Sequence, residues 1–407
     1  MFAKLDEVKV LRDPIHEYIH IEYQVVWDCL NAREFQRLRR IHQLGATYQV
    51  YHSAEHSRFS HSLGVYEIVR RMTLEIEDLK EALSEQDRID VLLAGMLHDI
   101  GHGPFSHSFE ASLDFNHEKM GAMILLGNSE LHDVLIKHDP ELPSRIVSIL
   151  THTHTNPILN QVVSGQLDAD RMDYLLRDAY FTGTSYGTFD LERVLRTLRV
   201  HEDKLVVKES GVHTIEDYIM ARYHMYWQVY YHPVSRSYEM ILIRFFKRLS
   251  ELAKTDLSLQ QRFEMLAPLF HTGYPTLEEH FILDESACQY AFTLAKREKD
   301  PILRDLGRRL LDRKLFEYQD VEDQFQIDRQ RQRVIDAGYD PEYYFALDFA
   351  KQRPYTPYQE KENSLIWILN PKSEIKELSQ ASVLVAAIVR GENKTDEKMY
   401  FPKETAE

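Results

Sequence analysis

The chain has 407 residues, with 49 Lys and Arg against 65 Asp and Glu, for a formal net charge of −16 with histidine neutral. Hydrophobic residues make up 43% of the sequence, which is enough for a sizeable core and excludes general disorder. The acidic balance makes nucleic-acid binding an unfavourable interpretation, because phosphate backbones are held by an excess of Lys and Arg. It leaves room for small phosphate ligands held by local positive charge or a metal.

The sequence pattern favours a cytoplasmic protein without membrane contact. The apolar stretch Val383–Val389 is far shorter than the ~20 residues of a membrane span. The N-terminal residues Met1–Glu7 lack the apolar core of a signal peptide. Only Cys29 and Cys288 are present, too few for a disulfide framework, so a reducing compartment fits best.

Apolar spacing predicts a mainly α fold, with a helical body over residues 1–300 and a smaller α+β lobe over residues 301–407. The predicted helices are Gln24–Arg40, Arg88–His98, Asp168–Asp178, Glu216–Tyr231, Tyr238–Ala253 and Leu277–Arg297. The predicted strands are Lys204–Val207, Tyr343–Phe349, Leu365–Leu369 and Val383–Val389.

Histidine is concentrated in one part of the chain. Eleven of the twenty histidines lie between His52 and His154, which indicates a metal or acid–base site. Adjacent His98 and Asp99 end a predicted helix and point about 100° apart. Both can reach one ion only if it lies at the helix end, between helices that bring further ligands. Taken alone, such a pair is usually a helix-end hydrogen bond.

Two other segments can complete such a site. Arg58 and His61 lie at i and i+3, on one helical face. The acidic helix start near Asp170 aligns Asp170, Tyr174 and Asp178 along one face, although first-turn acids are also ordinary helix caps. With His98 and Asp99, these segments form an ordered pattern of His, His-Asp and Asp along the chain.

The motifs together resemble the HD-domain superfamily of metal-dependent phosphohydrolases, and specifically the deoxynucleoside-triphosphate triphosphohydrolases. The resemblance covers most of residues 5–235, with an HD core at about 50–180. It rests on the segments Arg12–His16, Phe35–Gly45, Arg58–Gly64, His98–His107 and Met172–Asp178. Gly101-His102 stands where the (p)ppGpp-hydrolase branch has two acids, which argues against that branch.

The resemblance implies one divalent metal ion. Mg is the preferred expectation, and Mn, Fe, Ni and Zn remain open. The implied ligands are His61, His98, Asp99 and Asp170. The implied catalytic histidine is His117, with Glu110 as its acidic partner and His102 and His107 facing the phosphates.

The resemblance also implies a dNTP pocket. Triphosphate oxygens are assigned to Arg58, Arg171 and Arg222, although surface ion pairing is the usual fate of an isolated Arg. Tyr174 and Asp178 are expected to meet the sugar 3′-hydroxyl. Gln43, Leu44 and Tyr230 are expected to pack around the deoxyribose and exclude a 2′-hydroxyl.

Regulation is a further implication. Related enzymes are tetramers that bind an activating nucleotide between subunits, so a homotetramer activated by dGTP or GTP is expected. The matching positions are Lys9, Val10, Asn31, Gln36 and Arg39, with Arg193 and Lys208 on a neighbouring surface. Gln36 and Arg39 can alternatively solvate a helix face.

Two other functions remain open at this stage. One is a different HD phosphohydrolase, acting as a nucleotidase or phosphodiesterase. The other is a non-catalytic nucleotide sensor that uses the fold to bind a partner. No phosphate-binding loop or dinucleotide fingerprint is present in the sequence, so ATP-driven and dinucleotide chemistry are not supported.

Overall fold

The chain begins with an antiparallel hairpin that the sequence patterns do not predict. It consists of β1 (Lys4–Asp13) and β2 (Glu17–Tyr23). Strand β2 buries Ile19 and Ile21, whereas most of β1 is exposed, so the hairpin packs on the body through its second strand. The computed structural model of the protein describes residues 2–110, 112–113, 115–352, 365–391 and 394–406.

The body that follows is helical, as the apolar spacing predicts. Its helices are α1 (Gln24–Asn31), α2 (Arg33–Arg37), α3 (Arg58–Glu75), α4 (Glu77–Ala82), α5 (Glu85–Leu97), α6 (His107–Glu110), α7 (His117–Leu126), α8 (Glu130–His138), α9 (Leu142–Leu150), α10 (Pro157–Ser164), α11 (Ala169–Thr182), α12 (Leu191–Thr197) and α13 (Val212–Met225). Helix α3 packs between α5 and α11, and these three helices carry most of the site.

Nine more helices follow in the described part of the chain, together with the strands of two small sheets. These helices are α14 (Pro233–Ala253), α15 (Leu257–Arg262), α16 (Leu277–Ile282), α17 (Glu285–Ala295), α18 (Pro301–Leu311), α19 (Gln324–Asp336), α20 (Pro341–Tyr344), α21 (Leu378–Ala381) and α22 (Val383–Arg390). The remaining strands are β3 (Leu198–His201), β4 (Lys204–Lys208), β5 (Phe316–Asp320), β6 (Ala346–Gln352), β7 (Trp367–Leu369), β8 (Ile375–Glu377) and β9 (Lys394–Pro402).

The sheet pairing joins the two parts of the chain. One sheet has the order β3-β4-β7-β8, in which β4 and β7 are parallel and Val206 lies opposite Trp367. The other has the order β5-β9-β6 and is antiparallel. A mainly α fold with a smaller C-terminal region that contains sheets is therefore confirmed.

Two hydrophobic cores organise the described residues. The first lies among α3, α5 and α11, with Val65, Leu93 and Met172 fully buried. In the second, Phe292 of α17 packs with the C-terminal strands, whose Tyr400 is also buried. Helices before residue 300 thus share a core with the C-terminal lobe, and a division of the chain near residue 300 stays a prediction.

The strand predicted at Val383–Val389 is wrong, because these residues form helix α22. The Ser382 hydroxyl caps this helix by accepting a hydrogen bond from the Val385 backbone N–H at 3.0 Å. Ala386 and Ala387 are strong helix formers, and a short apolar run does not by itself distinguish a helix from a strand.

Three predicted helices have different limits in the structure. Gln24–Arg40 is interrupted at Ala32, where the backbone is extended. Leu277–Arg297 is two helices, because the Asp284 side chain caps α17 by accepting from the Ala287 N–H at 3.0 Å. The segment predicted as Glu216–Tyr231 ends its α-helix at Met225 and continues as one π-helical turn.

The strand predicted at Tyr343–Phe349 is correct only in its second half. Tyr343 and Tyr344 complete α20, whose Asp340 cap accepts from the Glu342 N–H at 2.9 Å, and β6 begins at Ala346. Among the described residues, none of the helices combines the length and apolar character needed to cross a membrane.

We expect Phe292→Ala to destabilise the fold strongly. Phe292 is fully buried and packs edge to face on Phe245, with ring centroids 5.0 Å apart, so truncation is expected to cost about 3–5 kcal/mol. Tyr290→Ala on the same helix is the control. Its side chain is 56% exposed, so its loss should change the free energy of unfolding by about 0.5 kcal/mol or less. Urea unfolding of both variants measures the difference, and equal shifts would contradict this packing.

Candidate functional site

Four side chains from three helices converge at the centre of the helical body. His61 lies on α3, His98 and Asp99 follow the end of α5, and Asp170 lies in the first turn of α11. His61 Nε2 is 3.0 Å from Asp170 Oδ1 and 3.9 Å from Asp99 Oδ2. His98 Nε2 is 3.2 Å from Asp99 Oδ1 and 3.5 Å from Asp170 Oδ1. The structure therefore brings together all four side chains that the sequence pattern singles out.

The orientation of both imidazoles suits a metal ion. His98 Nδ1–H donates to the Gly95 carbonyl at 2.8 Å, and His61 Nδ1–H donates to Asp173 Oδ2 at 2.8 Å. In each ring the Nε2 atom then faces carboxylate oxygens, which is a position for a cation. His61, His98 and Asp99 have ligand atoms within 4.8 Å of one another, close enough to hold one ion.

The carboxylates set the charge of the cluster. Burial lowers the pKa of His61, but hydrogen bonds with Asp170 and Asp173 outweigh burial and raise this pKa to about 10. Burial disfavours ionisation of Asp99, but Arg58 and the neighbouring imidazoles hold its pKa well below the usual range. Without an ion, the protonated imidazole of His61 therefore supplies the positive charge that a bound cation would bring to the carboxylates.

Arg58 and His102 also contact Asp99 of the cluster. Arg58 Nη1 donates to Asp99 Oδ2 at 2.5 Å, and its Nη2 donates to the Ser106 hydroxyl at 2.6 Å. His102 Nε2 lies 3.2 Å from Asp99 Oδ1. Burial and the nearby Arg58 guanidinium lower the pKa of His102 to about 3, so this imidazole is neutral.

His117 and Glu110 form a second group beside the cluster. His117 Nδ1–H donates to Glu110 Oε1 at 2.6 Å, and the His117 ring stacks on His102 with centroids 3.8 Å apart. A Cβ added at Gly101 would lie 2.1 Å from the His117 carbonyl oxygen, so glycine at this position permits the close approach. The side chain of His107 lies outside the described residues.

Several residues assigned to the sugar form a polar group next to the cluster. Asp178 contacts His56 Nε2 at 2.8 Å and accepts a hydrogen bond from the Tyr230 hydroxyl at 2.8 Å. Tyr174 lies between Tyr230 and His61, with ring centroids 6.2 and 6.5 Å away. Gln43 Oε1 is buried there and has no hydrogen-bond partner within the described ranges, and Leu44 is half-buried.

The other two arginines line the same region. Arg171 donates to Asp168 and to the Gly165 carbonyl. Burial raises the pKa of Asp168 to about 6, although the Arg171 charge acts in the opposite direction. Arg222 Nη1 donates to Gln166 Oε1 at 3.1 Å, while its buried Nε has no hydrogen-bond partner in the part of the chain that the structure describes.

The residues assigned to an activating nucleotide lie at the surface. Arg39 Nε donates to Gln36 Oε1 at 2.8 Å, and the Arg39 guanidinium lies 3.5 Å from the centroid of the Phe59 ring. Arg193 Nη2 donates to the Ser210 carbonyl at 2.9 Å. Val10 on β1, Asn31 at the end of α1 and Lys208 at the end of β4 are exposed. Lys9 on β1 is half-buried, and its Nζ lies 3.3 Å from Glu7 Oε2.

Several buried residues around the site have no role in the sequence interpretation. They are Asp13, His16, His56, Asp173 and Arg177. Four of the five lie inside segments that carry the family resemblance, but the spacing of these residues does not reveal that they meet. His56 stacks on Phe181 and reaches Asp178 across 122 positions of sequence.

Comparison with known proteins agrees with this geometry. The family profile described as the HD domain matches residues 58–178, and the profile described as the HD associated region matches residues 189–268. The uncharacterized protein YwfO of Bacillus subtilis (strain 168) is 45% identical over 99% of this chain and 94% of its own length. The chain therefore belongs to the HD-domain phosphohydrolase family, whose members depend on a metal ion.

Two further relatives add to this picture. The deoxynucleoside triphosphate triphosphohydrolase SAMHD1 of Bos taurus is 31% identical over 56% of this chain and 45% of its own length. The crystal structure of a phosphohydrolase from Bacteroides thetaiotaomicron superposes with a TM-score of 0.85 and 27% identity, covering 97% of this chain and all of that one.

We expect Asp170→Ala to weaken metal binding. The substitution removes one of two carboxylates facing the imidazoles, and even the loss of an outer hydrogen-bond partner costs about 10–100-fold in metal affinity. Titration with Mn²⁺ followed by electron paramagnetic resonance measures the change. Glu55→Ala is the control, because this carboxylate is 64% exposed and lies beside His42 rather than the cluster. Equal Mn²⁺ affinity of Asp170→Ala and the unaltered protein would contradict the assignment.

Proposed function

We propose that this protein hydrolyses deoxynucleoside triphosphates to a deoxynucleoside and inorganic triphosphate in a metal-dependent reaction. The observation that carries the proposal is the position of the His117–Glu110 pair. His102 stacks on His117 and contacts Asp99, so a proton donor lies directly beside a cluster able to hold a cation. In this arrangement a cation and a proton donor could both act at one phosphorus atom.

The chain supplies the proton that the leaving group needs. When water attacks the α-phosphorus, the bond to the deoxyribose 5′-oxygen breaks and that oxygen takes up a proton. A doubly protonated His117 can donate from Nε2 while Glu110 holds its Nδ1–H at 2.6 Å. A divalent ion held by His61, His98, Asp99 and Asp170 supplies positive charge that polarises a phosphoryl oxygen.

Three arginines supply fixed positive charge for the triphosphate. The net charge of the chain is −16, so attraction of phosphate has to come from local cations, and Arg58, Arg171 and Arg222 are the ones that we assign to it. The Nε atoms of Arg58 and Arg222 are buried and lack hydrogen-bond partners over the described ranges, which leaves donors for a ligand. Arg171 exchanges part of its contact with Asp168 for phosphate in this proposal.

The sugar is expected to lie between Asp178 and the aromatic side chains. Burial keeps the pKa of Tyr174 and Tyr230 well above the usual tyrosine range, so both hydroxyls remain donors. Asp178 and Tyr174 hold the 3′-hydroxyl in this proposal, and Gln43, Leu44 and Tyr230 pack around the ring. Gln43 Oε1 has no hydrogen-bond partner among the described residues, so this buried acceptor is able to bind a donor group of a ligand.

The relatives support the choice of substrate. SAMHD1 of Bos taurus and its Dictyostelium discoideum homolog are deoxynucleoside triphosphate triphosphohydrolases by name, and the latter is 28% identical over 63% of this chain.

We extend the proposal to regulation: a homotetramer binds dGTP or GTP between subunits near Lys9, Gln36 and Arg39. The Arg39 guanidinium contacts the ring of Phe59, which follows Arg58 directly in the sequence.

We expect His117→Ala to lower turnover of dNTPs by about 10²–10⁴-fold while Mn²⁺ affinity stays unchanged, because the assigned role is proton donation. His213→Ala is the control, since this side chain is 92% exposed. Initial rates should be measured on dNTPs, ribonucleotides, nucleoside monophosphates and cyclic nucleotides, with phosphorus NMR of the products. Hydrolysis of monophosphates or cyclic nucleotides alone, or no hydrolysis at all, would favour the other two functions. Unchanged dNTP turnover in His117→Ala would refute the proton-donor role.

We expect Arg39→Ala to flatten a sigmoidal rate curve while the metal site stays filled. An activator can shift the enzyme only by its differential affinity for two states, and Arg39 is the cation assigned to it. Sedimentation and initial rates across dGTP concentration measure assembly and activation. Arg40→Ala is the adjacent control, because Arg40 Nε donates to Asp284 at 2.5 Å instead. A monomer with hyperbolic kinetics would exclude this mode of regulation.

A further inference from the structure

Asp173 occupies the centre of a buried polar group behind the metal-binding cluster. Its side chain is fully buried. Asp173 Oδ2 accepts hydrogen bonds from His61 Nδ1 and Arg177 Nε, both at 2.8 Å. Asp173 Oδ1 accepts from His16 Nε2 at 2.6 Å and from Arg177 Nη2 at 2.9 Å. A single carboxylate therefore receives four hydrogen bonds from three side chains.

We infer that Asp173 is a positioning residue for the metal ion, and that the N-terminal hairpin holds it in place through His16 and Asp13. A carboxylate can only accept hydrogen bonds, so Asp173 keeps a proton on His61 Nδ1. The Nε2 atom of His61 is then the atom that presents its lone pair to an ion, and the ring cannot rotate away. This arrangement raises the basicity of a ligating imidazole.

The hairpin turn completes the group from outside the helical body. Arg177 Nη1 donates to Asp13 Oδ2 at 2.9 Å, and Asp13 Oδ1 accepts from the backbone N–H groups of Ile15 and His16. The turn between β1 and β2 is thus fixed directly to the residues behind His61. The strand that leads into this turn is otherwise mostly exposed.

Gly64 provides the space in which this group forms. It lies one helical turn after His61 on α3. A Cβ added at Gly64 would lie 1.9 Å from Asp173 Oδ1 and 2.4 Å from Arg177 Nη2. Both atoms belong to side chains that are buried and held on several sides, so neither can move aside cheaply. A glycine is therefore required at position 64 if Asp173 is to keep its hydrogen bonds.

The test is Mn²⁺ affinity of Asp173→Asn, measured by electron paramagnetic resonance on the full chain. An asparagine presents its N–H₂ group either to His61 Nδ1 and Arg177 Nε or to His16 Nε2 and Arg177 Nη2. Two donors then face another donor, so two hydrogen bonds are lost in either orientation. We expect affinity to fall by about 10–100-fold. Circular dichroism and thermal melting establish that the variant is folded. A folded Asp173→Asn protein with unchanged Mn²⁺ affinity would overturn the inference.

Two substitutions at His16 test whether the hairpin contributes to metal affinity while Asp173 itself is left unchanged. His16→Phe keeps a ring but removes the donor, and we expect affinity to fall by about tenfold. His16→Gln keeps an N–H donor and should restore most of that loss. His20→Phe on the same hairpin is the control, because the His20 side chain is 41% exposed and its Nδ1 lies near Glu67. Equal affinity of His16→Phe and His16→Gln would overturn the role of the hairpin.

This inference rests on the proposed metal site and not on the substrate. Loss of Mn²⁺ affinity in Asp173→Asn supports it even if the protein proves to cleave another phosphate ester. Conversely, the unaltered protein could hydrolyse dNTPs while Asp173→Asn leaves Mn²⁺ affinity unchanged. That result would refute the inference about Asp173 and leave the proposed function intact.

Discussion

Two carboxylates held against two imidazoles are the constraint on which the rest of the site depends. Asp99 and His61 are buried, whereas the Asp170 side chain is 32% exposed. A buried carboxylate such as that of Asp99 is costly unless positive charge compensates it. Arg58 contacts Asp99 directly, and the imidazoles of His61 and His98 lie within 3.5 Å of the carboxylates. A divalent cation is the group that satisfies all four side chains at once, and a proton on His61 is the substitute when no ion is present.

This constraint explains the arrangement around the cluster. Contacts connect the cluster to the residues assigned to proton transfer and to part of the sugar site. His102 bridges Asp99 and the His117–Glu110 pair, whereas Tyr174 connects His61 to the pocket of Asp178. Glycine is needed at positions 64 and 101 for the same reason: at each position, two segments approach each other more closely than a side chain would permit.

The sequence predicts the ligand set far better than its surroundings. The ordered His, His-Asp and Asp pattern marks residues that lie at helix starts and ends, where local signals are strong. The contact of His16 with Asp173 spans 157 positions, and neither residue has a spacing that reveals it. The hairpin also escapes prediction, because β1 carries an irregularity between Lys4 and Lys9 that breaks the alternation of a strand.

The C-terminal lobe shows the limit of local patterns in another way. The run Val383–Val389 is apolar throughout and is compatible with a buried strand. The cap at Ser382 and the packing of Val385 against the body determine that it is a helix. By contrast, the strand at Lys204–Val207 is predicted correctly, and its parallel pairing with Trp367 joins the C-terminal lobe to the body near Gln166 and Arg222.

Anomalous diffraction at the manganese absorption edge, from crystals grown with Mn²⁺, tests the central claim most directly. We expect one strong peak between α3, α5 and α11, within roughly 2.0–2.3 Å of ligand atoms from His61, His98, Asp99 and Asp170. In that structure His61 should bind through Nε2 while its Nδ1 still contacts Asp173. A manganese ion bound elsewhere, with these four side chains unchanged and without an ion among them, would contradict the account.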